Sequence, residues 1–136
     1  TYVLAMRHDH RLARRKKLSW KDTVDERYIS VAKSSGNRSV LDAALAGVEK
    51  HPWISCEINH VSGILALVES GLGVAAVPGL SILPERQGTV VGVPLVNPAV
   101  KRTLGLISRH RHAMPPASRT LFDMMSASIV KQGRRT

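Results

Sequence analysis

Two short polar segments carry the residues best suited to chemistry. In Lys33-Ser34-Ser35-Gly36-Asn37-Arg38, two hydroxyls, a glycine and an amide stand directly before a run with helical spacing, flanked by two cations. Backbone N–H groups free at a helix start favour an anion, and the helix dipole adds about 0.3–1 kcal/mol. Lys33 and Arg38 could supply full charge. The alternative is simple N-capping by Ser35 or Asn37. The segment Asn59-His60-Val61-Ser62 repeats the arrangement at the next strand-to-helix junction. In a parallel sheet both junctions leave the carboxyl ends of their strands, where small ligands bind.

Other constellations point away from catalysis. Gly71-Leu72-Gly73-Val74-Ala75-Ala76 matches G-x-G-x-x-G/A, but a helix precedes it and a strand follows. A dinucleotide fingerprint needs the reverse order, so that phosphate meets a helix N-terminus. A glycine turn ending a helix is the better reading. His8/His10 and His110/His112 sit in Arg-rich segments, where positive charge opposes a divalent cation. Cys56 reads as a small apolar residue alternating within a strand, and neighbouring Glu57 disfavours a thiolate. Glu57 and Glu69 have no spacing that suggests acid/base work, and no nucleophile elbow, Walker loop or H-E-x-x-H occurs. No enzyme, cofactor or metal is expected.

The elements that must hold these residues follow from periodicity. Val3–Met6, Tyr28–Ala32, Ile54–Ile58, Val74–Val77, Thr89–Leu95 and Arg102–Ser108 read as strands. Ser19-Trp20-Lys21-Asp22 resembles a capping box opening a short helix. Val40, Leu41, Ala44, Leu45 and Val48 recur at helical spacing, as do Val61, Ile64, Leu65 and Val68. Gly47 is a plausible stop for the first of these helices, and Gly71 stands where a C′ glycine ends the second. Ser81–Gln87 is a connection with room for one helical turn, and Asn97-Pro98 is a turn. Pro115-Pro116 opens a last helix with Ala117, Leu121, Met125, Ser128 and Ile129 on one face. This alternation predicts an α/β layered domain with a largely parallel sheet.

Composition agrees. The chain has 136 residues, 43% apolar and 22% charged, within globular norms and long enough for a real core. A single cysteine excludes an internal disulfide and is consistent with a reducing cytoplasm. Twenty Lys and Arg against ten Asp and Glu give a net charge of +10, which favours polyanions such as nucleic acid. Arg7–Lys17 alone holds six of those cations and two histidines, and reads as a solvated loop. Aromatics are 4%, too few for a single-strand stacking platform. No signal peptide or membrane-spanning run is visible, and a chain that starts at Thr1 on a strand reads as part of something longer.

With these residues placed, the chain resembles the effector-binding domain of LysR-type transcriptional regulators. His10-Arg11-Leu12-Ala13 stands where the family commonly has His-Pro-Leu-Ala, with arginine for proline. Ser35-Gly36 before Leu41-Asp42 matches the next loop and helix. The most recognisable stretch is Leu67-Val68-Glu69-Ser70-Gly71-Leu72-Gly73-Val74-Ala75-Ala76-Val77-Pro78. Arg102–Arg109 matches a late strand, and Pro116-Ala117 opens the last helix.

The resemblance implies an α/β, periplasmic-binding-protein-like (type 2) effector domain, with one complete subdomain and the C-terminal part of the other. Residues 1–103 would form subdomain II, its first strand crossing from subdomain I. Residues 104–136 would return to subdomain I. The winged helix-turn-helix and the first half of subdomain I would lie outside this chain. A small, anionic effector, a carboxylate by preference, would sit in the cleft between subdomains against Lys33, Ser34, Ser35, Gly36, Asn37, Arg38, His60, Val61, Ser62 and Leu106. Dimerisation through the Val61–Ser70 helix is implied too, and the exposed face Leu121, Met125 and Ile129 would favour self-association. DNA would be bound through the absent domain, in the cytoplasm, with no membrane partner. Two alternatives stand beside this. One is a basic module binding nucleic acid through Arg7–Lys17 and Arg109/Arg111. The other is a periplasmic solute-binding protein of the same fold.

Overall fold

The computed structural model describes residues 1–83, 88–109 and 113–133. His110 and His112, Arg111, and residues 84–87 of the expected connection lie outside the described residues. Thr1–Arg102 form one compact unit and Thr103–Thr136 a second.

The first unit runs β1 (Tyr2–Arg7), β2 (Leu18–Ser19), a 3-10 turn (Trp20–Thr23), β3 (Tyr28–Val31), α1 (Gly36–Leu45), β4 (Ile54–Ile58), α2 (Val61–Glu69), β5 (Ala75–Pro78), a second 3-10 turn (Gly79–Ser81) and β6 (Val90–Val96). Four strands form a sheet in the order β2-β6-β1-β5, and β3 pairs with β4 in a second ladder. The two ladders meet at a parallel bridge between Tyr28 and Val74, closed by Ile29 N–H to Val74 O and Val74 N–H to Arg27 O, both 2.8 Å. β2 is parallel to β6, and β3 to β4. The expected largely parallel sheet needs one correction: β1 runs antiparallel to both its neighbours, β5 and β6. Periodicity reports that a segment is extended, and it carries no direction.

β1 is central, and its apolar run Tyr2-Val3-Leu4-Ala5-Met6 has a double duty. Side chains alternate across a strand. Tyr2, Leu4 and Met6 join one core with Leu18, Trp20, Leu41 and Leu95. Ala5, with Val3 packed alongside, joins the other, with Ile29, Ile64, Leu65 and Val68. β5 alternates in the same way, Ala76 to the first core and Ala75 and Val77 to the second. The result is three layers: α1 and the Trp20 turn, the strands, and α2. The α2 stripe at helical spacing is thus mostly core, since Ile64, Leu65 and Val68 are all buried.

Local signals in the sequence have their expected geometry at two places, the Ser19–Asp22 box and the Gly71 turn. Asp22 accepts from Ser19 N–H at 2.7 Å and from the Ser19 hydroxyl at 2.8 Å. α2 ends in a Schellman turn: Gly71 has φ +82°, its N–H donates to Val68 O at 3.0 Å, and Leu72 N–H donates to Leu67 O at 3.1 Å. Trp20 is fully buried, and its indole N–H donates to Pro98 O at 3.0 Å.

Two expectations are corrected. Cys56 is exposed. β4 pairs only with β3 among the described strands, and its middle residues Ser55, Cys56 and Glu57 face solvent while Ile54 and Ile58 are half-buried. Residues 102–108 form no strand. A strand exists through its ladder partner, and no described strand pairs with this segment; Ile107 is 95% exposed. In the second unit the described helix is α3 (Pro116–Gly133), opened by proline as expected, with Leu121, Met124, Met125 and Ile129 exposed. Among the described residues no helix is long and apolar enough to cross a membrane.

Candidate functional site

The two polar junctions leave the same end of neighbouring strands. β3 and β4 are parallel, with Val31 opposite Ile58, and Ala32 N–H donates to Ile58 O at 3.0 Å. The loops that follow, 32–35 and 59–60, therefore begin side by side and run into the N-termini of α1 and α2. β1 starts and β5 ends at this same end, because Tyr2 pairs with Pro78.

Ser35 caps α1. Its hydroxyl accepts from Asn37 N–H at 3.3 Å, and its carbonyl accepts from Arg38 N–H at 2.9 Å. Lys33, Ser34 and Gly36 are exposed. His60 occupies the N-cap position of α2 without a side-chain cap bond, Ser62 is exposed in the first turn, and half-buried Val61 packs on the α2-side core. Leu106 belongs to the second unit and is half-buried.

Arg38 departs from expectation. Its Nε donates to Asp42 Oδ1 at 2.7 Å, and one terminal nitrogen donates to Glu57 Oε1 at 2.8 Å. The same nitrogen reaches Ser30 Oγ and Val31 O at 3.4 Å. The bond to Asp42 raises the guanidinium above its already high ordinary value. Arg38 thus ties α1 to the ends of β3 and β4, and its charge is already neutralised.

Two residues missed by sequence reading take part instead. The Tyr2 hydroxyl donates to Asn37 Oδ1 at 3.0 Å, and Arg102 donates to the same oxygen. Burial raises the Tyr2 hydroxyl above its ordinary value, against the pull of the Arg102 charge. No local signal could reveal this, because the partners lie 35 and 65 residues from Asn37. The arrangement places a cation, an amide and helix-start N–H groups together, a setting for an anion with hydrogen-bonding groups.

Of two cavities, one lies away from these junctions and the other borders Arg38. One of about 700 Å³ sits at the opposite end of the sheet, against Arg7, His10, Arg11, Glu26, Arg27 and the 70–74 turn. There Glu26 pairs with Arg11, and His10 Nε2 lies 3.3 Å from Glu26 Oε2. A second, of about 220 Å³, lies beneath α1 between Trp20, Tyr28 and Leu41. Among the described residues no cluster of three or more His, Cys, Asp or Glu is placed for a metal.

Comparison with known proteins agrees with this fold. Residues 1–129 match the family model described as the LysR substrate binding domain. The chain is 39% identical over 125 residues to YbhD, an uncharacterised HTH-type transcriptional regulator of Escherichia coli (strain K12), covering 91% of this chain and 39% of that protein. It is 29% identical over 124 residues to the similarly described YfeR of Shigella flexneri, covering 91% of this chain and 40% of that one. The chain thus spans about two-fifths of the length of these relatives. Among solved structures, the effector binding domain of QuiR in complex with shikimate superposes with a TM-score of 0.69 at 27% identity, over 90% of this chain and 57% of that one. The CcmR regulatory domain of Synechocystis PCC6803 in complex with 2-PG shares the fold, with a TM-score of 0.71 at 18% identity over 93% of this chain and 62% of that one. With an α/β, periplasmic-binding-protein-like architecture and a family match over nearly its whole length, the chain belongs to the effector-binding domains of LysR-type transcriptional regulators.

Proposed function

We propose that the Ser34–Asn37 and His60–Ser62 junctions hold a small anionic effector, a carboxylate by preference. The observation that carries this is their emergence side by side from parallel β3 and β4, with Asn37 bonded to Arg102. Ser34, Ser35, Asn37, Ser62 and the helix-start amides supply donors. Lys33 and Arg102 supply the charge, since Arg38 is tied to Asp42 and Glu57. His60 and Val61 complete the wall, and Leu106 is carried by the family resemblance alone. Solved relatives hold shikimate and benzoate, both carboxylates.

The regulatory mechanism is a population shift. The effector favours one arrangement of the intact regulator and so biases an attached DNA-binding domain, by about 1.4 kcal/mol for each tenfold difference in affinity. The protein acts in the cytoplasm as a sensor rather than a catalyst, and as a dimer. Because the apolar stripe of α2 faces its own sheet, a dimer contact through this helix uses its outer residues Ser62, Ala66 and Ser70. Ala66→Arg then shifts the mass read by light scattering toward the monomer; an unchanged mass removes α2 from the interface.

The test of the site is a calorimetric titration of the intact regulator with shikimate and benzoate. A hydrogen bond to a charged group is worth about 1.5–3 kcal/mol, so Ser35→Ala with Asn37→Ala weakens binding about tenfold or more. Unchanged affinity with an unchanged circular dichroism spectrum would falsify the assignment.

A further inference from the structure

Most arginines of this basic chain that have described partners are neutralised. Arg7 pairs with Asp9, Arg11 with Glu26, Arg38 with Asp42 and Glu57, and Arg119 with Asp123. The consecutive residues Arg14, Arg15, Lys16 and Lys17 differ. All four are exposed, and among the described residues none of their side chains has a hydrogen bond or ion pair. Asp22, the next carboxylate along the chain, is turned back on Ser19.

These cations are not on a loose tail. Leu12 and Leu18 bracket them in the core at 4% and 1% exposure. Ala13 N–H donates to His10 O at 2.9 Å and Arg15 N–H to Leu12 O at 3.1 Å, and Leu18 enters β2 opposite Leu95 of β6. Four unneutralised charges are therefore held on one fixed turn. Their mutual repulsion is offset only by the attraction of Arg15 for the Asp22 carboxylate, and no direct ion pair neutralises any of the four.

We propose that this turn docks on the phosphate backbone of duplex DNA. The proposal rests on the reading of the chain as part of a DNA-bound regulator, and adds a contact made by the effector domain itself. Duplex DNA presents one charge per roughly 1.7 Å of its axis, a density that four adjacent cations match. Residues 11–19 contain no aromatic side chain, so stacking on single strands is unsupported. They expose no large apolar side chain, so a lipid surface would gain no insertion.

The test is fluorescence anisotropy of this chain with a labelled non-specific duplex between 50 and 200 mM salt. Each phosphate contact contributes about −0.9 to the slope of log affinity against log salt, so four weaken binding roughly 150-fold across that range. R15Q/K16Q/K17Q should reduce the slope by about 2.7 units. R27Q/K50Q/K101Q removes the same charge from exposed positions elsewhere and should leave most of it. Equal loss in both variants assigns binding to bulk charge and overturns the proposal. So does no loss in the first, or a first variant that loses anionic phospholipid vesicles while keeping the duplex. Calorimetry with shikimate or benzoate is unaffected by R15Q/K16Q/K17Q, so the docking turn and the effector site can fail independently.

Discussion

The hydroxyl of Tyr2, at the first residue of β1, donates to Asn37 Oδ1 at 3.0 Å in the first turn of α1. Arg102 meets the same oxygen. One amide thus gathers the start of the central strand, the head of a helix and the last residue of the first unit. Asn37→Ala leaves the Tyr2 hydroxyl without that acceptor and should cost about 1–2 kcal/mol in urea denaturation. Asn37→Asp keeps the acceptor and should hold stability within about 0.5 kcal/mol of the parent. Its added negative charge should nonetheless abolish benzoate binding in calorimetry, separating support of the fold from contact with the effector.

Gly73 is required by close approach. A Cβ there would lie 2.3 Å from the Arg27 carbonyl oxygen, which accepts from Val74 N–H at the seam between the two ladders. Gly73→Ala forces backbone apart and should cost about 3 kcal/mol or leave no cooperative thermal transition. Gly47 has nothing within 4 Å of its would-be Cβ and no left-handed φ. Gly47→Ala should stay within about 0.5 kcal/mol. Similar losses at both positions would remove the steric explanation.

Arg38 is a structural tie, and its side chain is only 11% exposed. Arg38→Ala leaves Asp42 and Glu57 without their cation and should lower stability by about 1–2 kcal/mol, discounted for the exposure of both carboxylates. Arg38→Lys should recover part of that, since one ammonium cannot reproduce the fork to both partners. Chemical denaturation of the three proteins in parallel reads the order directly.

Acid stability should report on the Ser19–Asp22 cap. The Ser19 N–H, then its hydroxyl, hold the Asp22 carboxyl below its ordinary 3.8. A lowered folded value means the contribution is fully present above about pH 4 and is lost as pH falls through the folded value. Asp9, held by Arg7 at about 2, acts in the same direction. Asp22→Asn should therefore cost about 1 kcal/mol at neutral pH and flatten the fall in melting temperature between pH 5 and 3 in roughly the same proportion. A variant with an undiminished acid limb would assign that limb to other carboxylates.

What the sequence determined by itself is what local forces decide. The start of α1 at Ser35, the Ser19–Asp22 box and the Gly71 turn all rest on bonds or steric limits within about five residues, so their signals are legible in short windows. The two polar junctions were legible for the same reason, each being a strand end followed by a helix start. The tertiary structure decided everything that depends on which distant segment arrives. β1 could be read as a buried strand, and only its pairing with β5 and β6 shows it antiparallel and central. The alternating pattern of residues 102–108 allowed a strand, and the absence of a ladder partner among the described strands denied it. Cys56 reads as a small apolar strand residue, but it stands in the solvent-facing middle of β4, where only the end residues Ile54 and Ile58 pack on the core. Arg38 reads as a free charge in the sequence, whereas the fold brings Asp42 and Glu57 within 2.8 Å of its nitrogens and carries Arg102 to Asn37 across 65 residues. A charged side chain announces its chemistry in the sequence, but its partner is chosen by packing, because the chain must fold before the competing acceptors have positions at all.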